Sequence, residues 1–186
     1  MKIGILGGTF NPPHLGHLIL AQEVCQKVGL DKIFFIPTNI PPHKESHNVA
    51  GSDRMKMTNL MLGGDARFEV SDIELRRGGV SYTIDTVREL KAERPRDEFS
   101  LIVGSDLAND FSGWRYFDEL KKEIKIIVAK RRDYPLARKD NFIIVGILQM
   151  GISSSYIRSL IKKGFSVKYL VTEKVAEYIK KNKLYK

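Results

Sequence analysis

His14 and His17 stand three residues apart, where a loop rich in glycine and proline runs into an apolar-periodic segment. That spacing puts both imidazoles on one face of a helix's first turn, where both can donate hydrogen bonds to the same anion. The turn also carries unpaired backbone N–H groups and the positive end of the helix dipole, so a phosphate is the natural guest. Upstream, the apolar run Ile3 to Leu6 reads as a strand that stops at Gly7 and Gly8, where a ligand can approach the backbone closely. Thr9, Phe10 and Asn11 follow, and Pro12 and Pro13 end any strand and fix the loop. The spacing matches neither the G-x-G-x-x-G of dinucleotide-binding folds nor the P-loop, and two histidines stand where a P-loop places its lysine.

A second anion site lies near the other end of the chain. In Ser153-Ser154-Ser155-Tyr156-Ile157-Arg158, Ser153 or Ser154 caps a helix that carries Ile157, Leu160 and Ile161 and stops at Gly164. Arg158, one turn inside, adds a guanidinium to the backbone and hydroxyl donors. A third helix entrance, Ser81-Tyr82-Thr83, opens a helix predicted over Thr83 to Glu93 through Ile84, Val87 and Leu90.

These entrances need strands and helices to hold them. The first helix is carried by Leu15, Leu18, Ile19, Ala21, Val24, Cys25 and Val28. Lys32 to Ile36, ended by Pro37, is a strand buried on both faces, and the polar, proline-broken stretch to Ala50 is a long binding loop. Ser52 caps a helix carrying Met55, Met57, Leu60 and Met61 and stopping at Gly63-Gly64. Phe68 to Ser71 is a short strand, and Asp72 to Arg76 alternates around Ile73 and Leu75, the period of extended chain. Phe99 to Val103, Ile124 to Val128 and Phe142 to Leu148 are further strands, and Thr172 to Lys181 a terminal amphipathic helix with Val175, Tyr178 and Ile179 inward. Asp106 follows a strand end at Gly104, placed either to accept from a ribose hydroxyl or to cap the next helix. Strands alternating with helices predict an α/β fold, a doubly wound, mostly parallel, Rossmann-like sheet with helices on both faces. No repeat or linker divides the chain, so residues 1–186 are expected to form one domain.

Composition excludes several classes. At 186 residues, 42% hydrophobic and 28% charged, the chain is an ordinary globular one, and no apolar run reaches the length of a membrane span or a signal peptide. A lone cysteine, Cys25, cannot form an internal disulfide and lies on an apolar stripe, so it reads as a core filler in a reducing cytoplasm. The net charge of +9 is spread along the chain, with Lys174, Lys180, Lys181, Lys183 and Lys186 forming the solvated face of the last helix. Small anionic substrates explain that field more economically than a nucleic acid does.

Gly7 to His17 resembles the G-G-T-F-[DN]-P-x-H-x-G-H signature of bacterial nicotinate-nucleotide adenylyltransferases, and Ile152 to Arg158 is similar to their second signature, I-S-S-[ST]-x-I-R. The likeness continues through Pro42-His43-Lys44, Ser81 to Thr86, Gly104-Ser105-Asp106 and Val175 to Ile179. It implies that ATP meets Gly7, Gly8, Thr9, Phe10, His14 and His17 at the first entrance, Gly104 and Asp106 at the strand end, and Ser153, Ser154 and Arg158 at the second entrance. It implies that nicotinate mononucleotide meets Asn11, Lys44, Thr83, Asp106, Trp114 and Arg115, with Trp114 stacked on the pyridine ring. The family's R-P-G puts Arg131 on the mononucleotide phosphate, but Arg132 and Asp133 replace its proline and glycine here and make Arg132 a rival.

The implied reaction is adenylyl transfer from ATP to nicotinate mononucleotide by direct in-line attack, with His17, His14, Lys44 and Arg158 catalytic and Mg²⁺ accompanying ATP without a dedicated protein metal site. ATP and nicotinate mononucleotide are then the partners, with no specific nucleic acid and no membrane; a homo-oligomer is left open. A different acceptor such as phosphopantetheine is the nearer rival, and a non-catalytic nucleic-acid-binding domain the more distant one.

Overall fold

The apolar runs become β1 (Lys2–Gly8), β2 (Lys32–Pro37), β3 (Phe68–Val70), β4 (Glu98–Gly104), β5 (Lys125–Lys130) and β6 (Ile143–Gly146) in the structure, a computed structural model. It describes residues 1–42, 49–130, 136, 141–148 and 150–186, with the backbone alone at Ser112. The six strands form one sheet in the order β3-β2-β1-β4-β5-β6, every described pairing parallel. That is the Rossmann order, and the direction of winding reverses between β1 and β4. Ile5 pairs with Leu101, and three residues further on both strands end in glycine, at Gly8 and Gly104. A ligand crevice belongs at that end of the sheet.

Strand side chains alternate between two apolar layers. Leu6, Ile33, Phe35, Ile102, Ile127 and Val145 face α1 (Leu15–Val28), α2 (Gly51–Leu62), α7 (Ser154–Lys162) and α8 (Glu173–Lys181). Ile3, Ile5, Phe34, Ile36, Leu101, Val103, Ile126 and Val128 face α3 (Ile73–Arg77), α4 (Thr83–Glu93), α5 (Ser105–Asn109) and α6 (Phe117–Glu123). Burial on both faces is why β2 and β5 read as continuous apolar runs rather than alternating ones. Cys25 lies in the first layer, its thiol donating to the Leu30 carbonyl at 3.2 Å, and burial pushes its pKa up, away from nucleophilic use. Among the described residues no helix is long and apolar enough to cross a membrane.

Four local expectations change. The helix expected to be capped by Ser52 starts at Gly51, with Ala50 in the cap position and no side-chain cap bond. The segment read as alternating from Asp72 to Arg76 folds as the one-turn helix α3, because the residues it buries are the adjacent Ile73 and Glu74. The last strand is shorter than Phe142 to Leu148. Helix α6, absent from the sequence reading, is held by Phe117 and Leu120, a single i, i+3 pair. The helix over Thr83 to Glu93 and the inward Val175 and Ile179 are as expected, and all five tail lysines are exposed.

Candidate active site

The loop after β1 is built around two rings. Phe10 is 1% exposed and sits at φ 46°, a left-handed conformation that costs on the order of 1–3 kcal/mol outside glycine and persists because its ring is locked in the core. The ring of His17 meets it edge-on at 5.0 Å and stacks on His14 at 3.8 Å. The backbone N–H of His14 donates to His17 Nδ1 at 3.2 Å, which makes Nε2 the donor nitrogen of the neutral ring. Phe10 itself can reach a ligand only through its backbone. A Cβ on Gly8 would come within 3.1 Å of the Phe10 ring, whereas one on Gly7 would meet nothing within 4 Å. Gly8 therefore serves packing, and Gly7, exposed at the strand end, is the open approach.

Gly16 has a similar steric origin. A Cβ there would lie 3.0 Å from His14 Nδ1 and 3.1 Å from Cε1. Gly16→Ala is expected to displace the His14 ring and lower kcat about tenfold, less than the hundredfold that a 1 Å misplacement can cost. Its melting temperature should hold, since alanine raises helix propensity by roughly 1 kcal/mol. Steady-state kinetics with a thermal melt checks this, and unchanged kcat would overturn it.

The second entrance is tied directly to the first. Ser153 is the cap, its Oγ accepting from the Tyr156 N–H at 3.2 Å. Ser154 Oγ donates to the Pro12 carbonyl at 2.8 Å, and Arg158 Nη1 donates to the Asn11 carbonyl at 2.7 Å. Arg158 Nη2 reaches Ser155 Oγ at 3.1 Å, and the fork keeps further N–H donors. The Leu15 N–H is taken by the Leu170 carbonyl at 3.0 Å. The two helix starts thus share one loop.

Across the switch point, Gly104 is the N-cap of α5 and Asp106 lies in its first turn, which excludes Asp106 as the cap. Thr83 opens α4 beside Tyr82. Arg115 sits with its guanidinium 4.9 Å from the Tyr82 ring and 4.8 Å from the Tyr116 ring, donating to the Tyr116 hydroxyl at 2.8 Å. The half-buried Trp114 meets Phe111 edge-on at 5.0 Å. Arg115 thereby joins the tryptophan segment to the α4 entrance. Lys44, Arg131 and Arg132 lie outside the described residues.

Sequence reasoning missed three residues here. Arg54 is 3% exposed and donates to the carbonyls of Thr9 at 2.9 Å, Asn39 at 3.4 Å and Val49 at 3.4 Å. Its spacing to Met57, Thr58, Met61 and Leu62, all buried, is that of the apolar stripe of α2, a signal that was available. Glu74, 6% exposed, accepts the Thr86 hydroxyl at 2.8 Å, and burial raises its pKa. Tyr185, in the basic tail, donates to Asn11 Oδ1 at 2.6 Å.

A family model described as cytidylyltransferase-like matches residues 5–160. Over 185 residues the chain is 44% identical to the probable nicotinate-nucleotide adenylyltransferase of Shouchella clausii, covering 99% of this chain and 96% of that one. It is also 44% identical to the protein of the same name from Geobacillus thermodenitrificans, covering 99% and 86%. Among solved structures it is similar in fold to the Plasmodium falciparum nicotinic acid mononucleotide adenylyltransferase complexed with NaAD, with a TM-score of 0.82 at 20% identity and coverage of 99% and 97%. Such identity over nearly the full length of both sequences, on a sheet whose switch point gathers two tied helix starts and a histidine pair, makes the chain a member of the nicotinate-nucleotide adenylyltransferase family.

Proposed function

We propose that the enzyme transfers the adenylyl group of ATP to nicotinate mononucleotide, giving nicotinate adenine dinucleotide and pyrophosphate. The observation that carries this is the pair of helix starts bound to one loop, Ser154 to the Pro12 carbonyl and Arg158 to the Asn11 carbonyl, with the histidine pair beside them. Such an arrangement suits one polyphosphate held from two sides. An oxygen of the mononucleotide phosphate attacks the α-phosphorus, the bond from that phosphorus to the bridging oxygen breaks, and pyrophosphate leaves with the electron pair. The attacking phosphate is already ionised at neutral pH, so no protein nucleophile and no general base is required.

His17 Nε2, and His14 beside it, stabilise charge on the α-phosphate, while Lys44, Arg158 and the Ser153 and Ser154 entrance hold the pyrophosphate. Gly7, Gly8, Thr9 and the Phe10 backbone line the approach, and Gly104 and Asp106 meet the ribose. Asn11 and Arg131, or Arg132 in its place, hold the mononucleotide phosphate. The Ser81 N–H is taken by the Ile40 carbonyl at 2.9 Å, so it is the N-terminal end of α4 at Thr83 that faces the nicotinate carboxylate, with Trp114 on the ring and Arg115 behind it. Among the described residues no three His, Cys, Asp or Glu side chains gather to hold a metal. Mg²⁺ would accompany ATP, bound through the phosphate oxygens and water rather than by a protein carboxylate cluster, and would supply charge neutralisation there.

Pyrophosphate release with ATP and Mg²⁺, compared across nicotinate mononucleotide, its amide and phosphopantetheine, tests the reading. Release should be fastest with the nicotinate substrate. Faster release with another acceptor would overturn the pyridine assignment, and none with any acceptor would overturn the reaction.

A further inference from the structure

Asn11 is gripped at both ends. Its carbonyl accepts from Arg158, and its side-chain Oδ1 accepts from the hydroxyl of Tyr185 at 2.6 Å, across 174 residues of sequence. Asn11 is 3% exposed, so neither contact is a casual surface bond. The tail is shaped to make the second one. After α8 the Asn182 N–H bonds the Tyr178 carbonyl at 3.0 Å and the Leu184 N–H bonds the Ile179 carbonyl at 3.1 Å. Lys183 and Tyr185 then take left-handed φ values of 52° and 66°, which turn the chain back. Leu184 and Tyr185 pack against the same apolar layer as α1 and α2, and the Tyr178 hydroxyl ties α8 to Asp53 of α2 at 2.8 Å.

A carboxamide offers an acceptor on one side and two donors on the other, and a phosphate can use only the donors. We infer that Tyr185 is a positioning residue for adenylyl transfer: its hydroxyl holds Asn11 Oδ1, so that the Nδ2 donors are the ones presented to the mononucleotide phosphate. Burial pushes the phenol pKa far above its ordinary value, so the hydroxyl stays a donor at every working pH. Without it, Asn11 can rotate its carboxamide and set an oxygen against the phosphate. The inference rests on the adenylyl-transfer reading above.

The test is a cycle of Tyr185→Phe, Asn11→Ala and the double variant, with kcat and KM for both substrates measured per folded molecule at 25 °C. Tyr185→Phe keeps the ring and its packing. It should lower kcat/KM for nicotinate mononucleotide about tenfold, the equivalent of one hydrogen bond, and leave KM for ATP within about twofold. Asn11→Ala should cost at least as much, and the double variant no more than Asn11→Ala alone. Additive losses, or kinetics of Tyr185→Phe equal to wild type while Asn11→Ala falls, would overturn the positioning role and leave the reaction standing. A wild-type enzyme that does not turn over nicotinate mononucleotide would overturn the reaction itself and this role with it.

Discussion

His17→Ala is expected to lower kcat for adenylyl transfer by about 10²–10³-fold, the loss seen when one preorganised donor is removed from a site of developing charge. The residue does two things, and they can be separated. Its Nδ1 accepts from the His14 N–H and so closes the first turn of α1, which leaves Nε2 as the N–H donor of the neutral ring. His17→Asn offers an oxygen at the distance of Nδ1 and nothing at Nε2, so it should be as slow as alanine while melting close to wild type. His17→Gln sets an amide donor near the position of Nε2 and should recover part of the rate. Loss of the cap bond alone costs about 1 kcal/mol of stability, which cannot produce the rate loss in a protein that stays folded. Turnover of His17→Ala within about threefold of wild type would remove His17 from the mechanism.

How much of this was legible in the sequence follows from the range of each signal. Helix α4 was readable to the residue because Ile84, Val87 and Leu90 repeat the helical period between a clear start and stop. Strands β2 and β5 were readable because burial on both faces leaves an uninterrupted apolar run. Helices α3 and α6 span five and seven residues, too short for period 3.6 to separate itself from period 2. The loop from Gly7 to His17 announced itself through residue types, but the reasons for them are tertiary. Gly16 makes room for the His14 ring, and Gly8 for the Phe10 ring. The bonds from Ser154 and Arg158 to the carbonyls of Pro12 and Asn11 leave no mark on local pattern. Tyr185 was invisible for the same reason: an aromatic in a lysine-rich tail reads as surface until the tail is seen to fold back.

Arg54 was hidden differently, since its position on the buried stripe of α2 was plain and its charge argued against burial. Its guanidinium makes no ion pair among the described residues and is satisfied by the carbonyls of Thr9, Asn39 and Val49. Burial lowers its pKa, the direction expected for a cation taken out of water. Two effects of Arg54→Met then compete. Removing a desolvated charge favours the variant, and buried ion pairs replaced by apolar side chains are often neutral for that reason. That neutrality requires both partners to go. Here the partners are backbone carbonyls of three segments, which stay behind without donors, each at about 1–3 kcal/mol if it finds no water. Counting the 2.9 Å bond to Thr9 at about 1–3 kcal/mol and the two 3.4 Å bonds at the low end of that range, the variant should lose about 3–5 kcal/mol, or roughly 10–15 °C in melting temperature. Arg54→Lys keeps the charge but reaches fewer carbonyls from a point, so it should fall between. Because Thr9 belongs to the loop after β1 and the Asn39 N–H bonds Ser81 beneath the α4 entrance, the variant is also expected to raise KM for both substrates. Urea unfolding midpoints of the three proteins decide the matter. Arg54→Met as stable as wild type would mean that desolvation outweighs three carbonyl bonds, and that the segments are held by their own packing.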